Sequence, residues 1–419
     1  MSRKVSTTHQ RVVHIITCLA TDGAAILLYR LLAQIDREQF DPIVIVLDAE
    51  VELDEHWIAL NIPVHYLNMK RSLGSSWHVL RLAQRLRQLK PDVIQGWMYH
   101  GNLAATLANR LLGDRYPLVW NIHQGVYDLQ QESFTTRHII QWCARLSKKP
   151  SYIIYNAYAS ARQHEAMGYM TARTNVIPNG FDTQLFCANA PSREGVRQEL
   201  NIPPDAVVIG MVAHYHPSKN HELFLAAASF IHQHYPTVHF ILAGRNITAK
   251  NLPLAEQCAK HGLHTNLHLL GERKDMPAIL NAMDIFSLTS EREAFPHVVG
   301  EAMACGVPCI TTDVGDIARI IGNTGRVMPE PSPSKLAFAW LEWMQAGEIW
   351  RKELGQRAAE RIQQHYSIHR VTAQYQDIYK ELVNVRTNGV LFPSESTNAD
   401  QYAGQPAQDD QHPEPPGSQ

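Results

Sequence analysis

No apolar run in this chain approaches the roughly 20 residues needed to cross a bilayer. Residues 1–10 are polar and lack the apolar core of a secretion signal. The expectation is a cytoplasmic protein, with peripheral binding to the inner face of the cytoplasmic membrane left open. Cysteine is scarce, and the six present (Cys18, Cys143, Cys187, Cys258, Cys305, Cys309) sit within apolar segments, as suits a reducing compartment. Cys305 and Cys309 flank a helix stop and a strand, where packing accounts for them without a metal. Charge of either sign is not in excess. The formal net charge is -2, so no global field argues for a nucleic-acid partner. With 45% hydrophobic and 19% charged residues, the composition is that of a globular protein. A length of 419 residues exceeds one hydrophobic core, and two domains are expected.

Apolar strand-like runs alternate with helix-period segments, the pattern of a doubly wound α/β protein. Strands are expected at residues 12–17, 42–47, 64–66, 93–94, 118–120 and 152–155, with a helix starting over 26–32. A second series follows at 207–212, 239–242, 267–270, 284–290 and 307–311. Between the two lies a polar, proline-containing break at 187–197. From Thr387 onward the chain holds five acids and no Lys or Arg, and it is expected to be disordered.

The stretch Glu293-Ala-Phe-Pro-His-Val-Val-Gly-Glu301 follows one of these strands. Pro296 suits the first turn of a helix, where a missing N–H costs nothing. The N–H groups of His297, Val298 and Val299 are then expected to be unpaired at the helix mouth, favouring a phosphate or diphosphate. A carboxylate on either side of that anion fits a ligand with hydroxyls at both ends, as in a nucleotide sugar. The alternative is a loop Glu followed by a solvated helix Glu. Lys219 follows another strand and a Pro217-Ser218 turn, placing its ammonium within reach of a phosphate.

The segment from Leu270 to Asp316, including Glu293 and Glu301, closely resembles the retaining glycosyltransferases of family 4 (glycosyl transferases group 1), which have the GT-B fold. Ile209-Gly-Met-Val-Ala-His-Tyr-His-Pro-Ser-Lys-Asn-His221 resembles that family's donor-phosphate loop, with Lys219 matching its lysine. Val176-Ile-Pro-Asn-Gly-Phe-Asp182 resembles its inter-domain turn, and Thr21-Asp-Gly-Ala-Ala25 its first glycine loop. Three departures stand out. His214 replaces a usual arginine, Asp22, Gly23 and Ala25 replace a loop with two adjacent glycines and a glutamate, and Ala294 replaces a glycine.

The resemblance implies two Rossmann-like doubly wound domains facing a central cleft. They would comprise an acceptor-side domain over 1–185, a nucleotide-sugar domain over 186–368, and a helix at 369–386 crossing back, followed by the tail at 387–419. It implies that Glu301 binds ribose hydroxyls and Glu293 a donor-sugar hydroxyl. A carboxylate suits both because it accepts two hydrogen bonds at once. Phe295 and Pro296 would present the loop backbone. Leu270, Gly271 and Arg273 lie where the family places the base, although Arg273 reads equally as a surface residue. Gly23 would allow close backbone approach, and His123 would stand near the donor sugar. Lys219, Glu293 and His123 are then the catalytic candidates.

His214 either assists the diphosphate when protonated or donates one hydrogen bond when neutral. With His216 and His221 it also invites a zinc reading, but no complementary Cys or carboxylate cluster is evident. No Asp-x-Asp stands in the expected place, so no metal and no cofactor beyond the nucleotide-sugar co-substrate, UDP-linked by preference, is expected. His100 and Asn102 either line the acceptor side or merely pack. Between Glu55 and Asp92 there is no acid, while Lys70, Arg71, Arg81, Arg85, Arg87 and Lys90 all occur. Ser75 or Ser76 would cap a helix there, with Trp77 at its start and Leu82, Leu86 and Leu89 on its apolar side. This basic helix over 70–90 either docks on an anionic lipid or glycan or packs on its own domain. The expected reaction is sugar transfer to a hydroxyl of a glycan or lipid-linked acceptor in bacterial surface polysaccharide synthesis. A nucleotide-sugar epimerase and a silent scaffold subunit are the alternatives.

Overall fold

A computed structural model describes residues 9–19, 23–49, 53, 55–69, 76–126, 129–263 and 265–388. Asp22, Lys70, Arg71, Ser75 and the tail from 389 lie outside them. The described chain forms two compact units, changing from one to the other between Gly180 and Phe181 and back between Ser367 and Ile368. The boundaries expected from the sequence were at 185/186 and 368/369.

The first unit holds β1 (Gln10–Ile16), β2 (Phe40–Val46), β3 (Val64–Tyr66), β4 (Val93–Trp97), β5 (Leu118–Ile122), β6 (Tyr152–Tyr155) and β7 (Thr174–Val176). All pair in parallel, in the order β3-β2-β1-β4-β5-β6-β7. The central strands are Val- and Ile-rich and buried on both sides because helices cover both faces. Val13, Ile15, Trp120 and Ile122 face the helices Ser76–Leu89, Met98–Leu111 and Phe134–Leu146. Val12, Ile16, Trp97 and Val119 face Gly23–Gln34 and the C-terminal helix Ile368–Asn388.

That last helix buries Val371, Tyr375, Ile378, Tyr379 and Leu382, a stripe at helical spacing. Its polar side chains meet those of the strands. Asn121 Nδ2 donates to Tyr375 at 2.6 Å, Tyr379 donates to Gln95, and Tyr152 donates to Glu381 at 2.7 Å.

The second unit holds β8 (Val208–Val212), β9 (His239–Ala243), β10 (Leu267–Leu269), β11 (Ile285–Leu288), β12 (Cys309–Thr312) and β13 (Arg326–Met328). They form a parallel sheet in the order β10-β9-β8-β11-β12-β13. The stretch read from sequence as a polar break contains instead the helix Ala190–Glu199, with Asn189 capping Ser192 N–H and proline in the first turn. It reads as polar because only Val196 and Arg197 are buried on it, and Arg197 pairs with Asp284 at 2.6 Å.

Each sheet runs outward in both directions from a pair of central strands, β1/β4 and β8/β11. Loops leaving the carboxyl ends of such a pair are where open α/β sheets bind ligands. In the second unit those loops carry Lys219 and Glu293.

Candidate functional site

β8 ends at Val212 and the chain turns through Pro217–Lys219. The ring of His216 shapes this turn by accepting from Ser218 N–H at 3.2 Å. Asn220 takes a left-handed conformation (φ 49) and caps the helix His221–His234 by accepting from Leu223 N–H at 3.1 Å. The loop after β11 is tied to this turn at several points. Thr289 Oγ1 lies 3.0 Å from the Lys219 carbonyl and 2.9 Å from that of Asn220. Glu291 N–H donates to the Ser218 carbonyl at 2.8 Å, and Asn220 Nδ2 donates to Glu291 Oε1 at 3.1 Å.

Across this seam Lys219 Nζ contacts Glu293 Oε1 directly, and Ser290 Oγ donates to the same oxygen at 2.9 Å. Ser290 itself is fully buried and its carbonyl accepts from Thr312 Oγ1 at 2.5 Å. The loop after β12 is tied to the backbone of the Glu293 loop, with Asp316 N–H donating to the Ala294 carbonyl at 3.2 Å.

Phe295 turns inward and stacks on Phe181 with centroids 6.0 Å apart, so its side chain anchors the loop while its backbone stays at the helix mouth. Pro296 caps the helix His297–Ala304 without a side-chain hydrogen bond. Of the three amides expected to be open there, Val299 N–H donates to the Pro296 carbonyl at 3.3 Å. Glu301 lies half-buried on that helix.

His214 follows β8, its ring 5.7 Å from that of His216. Burial, then Lys219, His216 and Arg245, hold its pKa below the usual imidazole value, against an opposing pull from Glu293. That shift favours the neutral ring, which can donate a single hydrogen bond. His221 faces inward, its pKa lowered to about 4 by burial against a hydrogen bond to the Ala213 backbone. Among the described residues no group of three His, Cys, Asp or Glu is arranged to hold a metal.

Arg273 is engaged elsewhere. It bonds both carboxylate oxygens of Glu199 at 2.6 and 3.0 Å and both of Asp275 at 2.8 and 2.7 Å. Its guanidinium thus lies in a partly exposed ion cluster with Glu199 and Asp275. Leu270 and Gly271 lie where β10 ends; Gly271 (φ 67) accepts from Gly244 N–H at 2.7 Å. Arg245, which sequence reading did not single out, is exposed beside the exit of β8, its carbonyl accepting from Tyr215 N–H at 2.9 Å.

In the first unit, His123 follows β5 and stacks on Trp97 with centroids 5.5 Å apart and an interplanar angle of 21°. Its N–H donates to Met98 Sδ at 3.4 Å. Trp97 Nε1 in turn donates to His14 Nδ1 at 3.2 Å. β4 turns straight into the helix Met98–Leu111 through Met98 at φ 59, a conformation that only a closely packed surrounding maintains in a non-glycine residue. Gly96 and Gly101 make the turn feasible, since a Cβ on Gly101 would sit 2.5 Å from the Ile15 carbonyl oxygen.

Asn102 is buried and brackets the backbone of Asn121, donating to its carbonyl at 3.2 Å and accepting from its N–H at 3.3 Å. It is a packing residue rather than an acceptor contact. His100 is half-buried, with its pKa lowered by burial. Gly23 begins its helix in the open, with nothing within 4 Å of a would-be Cβ.

The basic helix Ser76–Leu89 buries Val79, Leu82 and Leu86 in the core of its own unit and exposes Trp77, Leu80, Arg81 and Arg87. Arg85 bonds His65 at 2.9 Å.

Two parallel sheets in Rossmann order, with Lys219 and Glu293 meeting at the carboxyl edge of the second, are the architecture of the GT-B class. Residues 192–361 match the family Glycosyl transferases group 1 and residues 21–185 match Glycosyltransferase Family 4. The chain belongs to glycosyltransferase family 4.

A putative glycosyltransferase EpsF of Bacillus subtilis (strain 168) is 29% identical over 141 residues, which is 34% of this chain and 36% of that protein. The Escherichia coli UDP-Gal:alpha-D-GlcNAc-diphosphoundecaprenol alpha-1,3-galactosyltransferase is 32% identical over 153 residues, covering 36% and 39% respectively. The matched part thus spans little more than a third of these relatives. Anabaena Alr3699/HepE in complex with UDP superposes with a TM-score of 0.76 at 22% identity, covering 89% of this chain and 100% of that one. Among the described residues no helix is long and apolar enough to cross a membrane.

Proposed function

We propose that this protein transfers a sugar from a nucleoside-diphosphate donor to a hydroxyl of a glycan or lipid-linked acceptor, with retained anomeric configuration and without a metal. The observation that carries the reading is the Lys219–Glu293 contact, a phosphate-seeking cation and a hydroxyl-seeking carboxylate held together beside the helix bearing Glu301. In the reaction, the bond from C1 to the diphosphate oxygen breaks as the acceptor oxygen bonds C1 on the same face. The acceptor's proton leaves with the diphosphate. Lys219 and the helix mouth near His297 would stabilise the charge developing on that leaving group. The neutral His214 adds one hydrogen bond rather than a charge.

UDP-sugars are the favoured donors, because the HepE structures of the same fold hold UDP and UDP-glucose. The E. coli relative's name supports a role in bacterial surface glycan synthesis. Thermal unfolding with UDP, GDP and ADP, repeated with Glu301→Ala, tests the reading. A ligand at about 100 times its Kd stabilises by roughly 2.7 kcal/mol. A shift with one nucleotide that the variant loses supports the donor site. No shift with any of them, nor with their glucose conjugates, favours a silent scaffold subunit, and conversion of a donor without acceptor favours an epimerase.

Docking on an anionic membrane is part of this reading. Helices Ser76–Leu89 and Phe134–Leu146 both pack on Met98–Leu111 and carry no acid. They expose Trp77, Leu80, Phe134 and Trp142 beside Arg81, Arg87 and Arg145. Aromatic and cationic side chains together suit an interface with anionic lipid. Flotation with anionic vesicles at low salt tests this, and absence of binding removes it.

A further inference from the structure

We propose that the Lys219–Glu293 contact makes the site discriminate between a nucleotide sugar and the bare nucleoside diphosphate left after transfer, an inference that rests on the donor-site reading above. The contact is a built one. Both side chains are largely buried, with 16% and 15% of their surface exposed. Their loops are joined by Thr289, Glu291 and Asn220, so the two loops cannot separate without breaking several hydrogen bonds, and only the side chains can exchange partners. Ser290 is a positioning residue: fully buried, it donates to the Glu293 oxygen that also meets Lys219 and so holds that oxygen in place.

The consequence follows from charge. With the site as it stands, the phosphate-seeking cation is neutralised by the sugar-seeking carboxylate. A nucleoside diphosphate offers only phosphate at this point. To take Lys219 it must displace Glu293 and leave a mostly buried carboxylate beside a like charge. A nucleotide sugar brings hydroxyls as well. These donate to Glu293, which accepts several hydrogen bonds at once, and Lys219 is released to the diphosphate. The two recognition events are coupled through one ion pair, and breaking the sugar–phosphate bond restores the competition that expels the diphosphate.

Calorimetric titration with UDP and UDP-glucose separates the outcomes. Glu293→Gln is expected to bind UDP about tenfold more tightly than wild type, because Lys219 is no longer claimed, and to bind UDP-glucose more weakly. In a Lys219→Met background the same change should leave UDP affinity nearly unaltered. Ser290→Ala, a milder variant, should shift UDP affinity in the same direction by a smaller factor. Folding of each variant is checked by its melting profile. UDP affinity that is unchanged or lower in folded Glu293→Gln, or an equal gain in the Lys219→Met background, overturns the proposal. If wild type binds neither UDP nor UDP-glucose, nor the ADP and GDP counterparts, the donor-site reading itself falls.

Discussion

A β-carbon on Gly315 would lie 2.1 Å from the carbonyl oxygen of Glu293, so the loop after β12 touches the carboxylate loop backbone to backbone. Gly315 also has φ +59, a conformation that strains other residues. Gly315→Ala is therefore expected to cost about 1–3 kcal/mol of stability through strain and overpacking. Because the displaced atoms belong to Glu293 and Ala294, nucleotide-sugar affinity should fall as well. Urea unfolding and calorimetry check both, and a variant with wild-type values in each would contradict the contact.

Arg273 and Arg245 should behave oppositely. Arg273 is held by Glu199 and Asp275 in a partly exposed cluster, so Arg273→Ala should cost up to about 1 kcal/mol of stability and leave nucleotide affinity unchanged. Arg245 is exposed at the carboxyl end of β9, close enough to His214 to help keep that ring neutral. Arg245→Ala should leave stability unchanged while weakening UDP binding severalfold. Side-by-side melting and titration of the two variants decide the assignment.

Trp97 lies between His123 and Tyr375 and reaches His14 through its indole N–H. Trp97→Phe keeps a ring beneath His123 but leaves the buried His14 Nδ1 without its donor, at a cost of about 1–3 kcal/mol. Trp97→Ala also opens a cavity, and about 3–5 kcal/mol is expected. The His123 imidazole resonances should move far more in the alanine variant than in the phenylalanine one.

Stability should fall on mild acidification. Burial lowers the pKa of His14 to about 3 and those of His164 and His221 to about 4, from 6.5 for a free imidazole. These rings are neutral when folded and bind protons when unfolded. Their contribution is fully present above pH 6.5 and is lost progressively as the pH drops toward about 4. Each ring contributes a slope of up to about 1.4 kcal/mol per pH unit in that window. Urea unfolding at pH 7.5, 6 and 5 measures the slope, and a flat profile between pH 6.5 and 5 would count against three buried neutral rings.

The central strands were legible because a parallel sheet covered on both faces needs near-continuous apolar runs, as in residues 43–46 and 208–212, and in 12–16 with His14 as its one polar residue. Strands β7 and β13 were not, since Thr174–Val176 and Arg326–Met328 are only three residues long and begin on polar residues, unlike the equally short β3 and β10, which begin on Val64 and Leu267. The helix Ala190–Glu199 was read as a break because it buries a single apolar residue, Val196, beside the ion-paired Arg197, which leaves no apolar period to detect.

Local chemistry by itself determined the site's ingredients. The spacing of Glu293 and Glu301 around Phe295 and Pro296, and the turn before Lys219, were both readable and resembled a known family. Tertiary structure alone decided which ingredients meet. Lys219 and Glu293 are 74 residues apart, and so are Glu199 and Arg273. Nothing in that spacing separates a ligand site from an ion cluster. Sheet order does: β8 and β11 are neighbours at the point where the winding reverses, so the loops leaving their carboxyl ends must share one mouth.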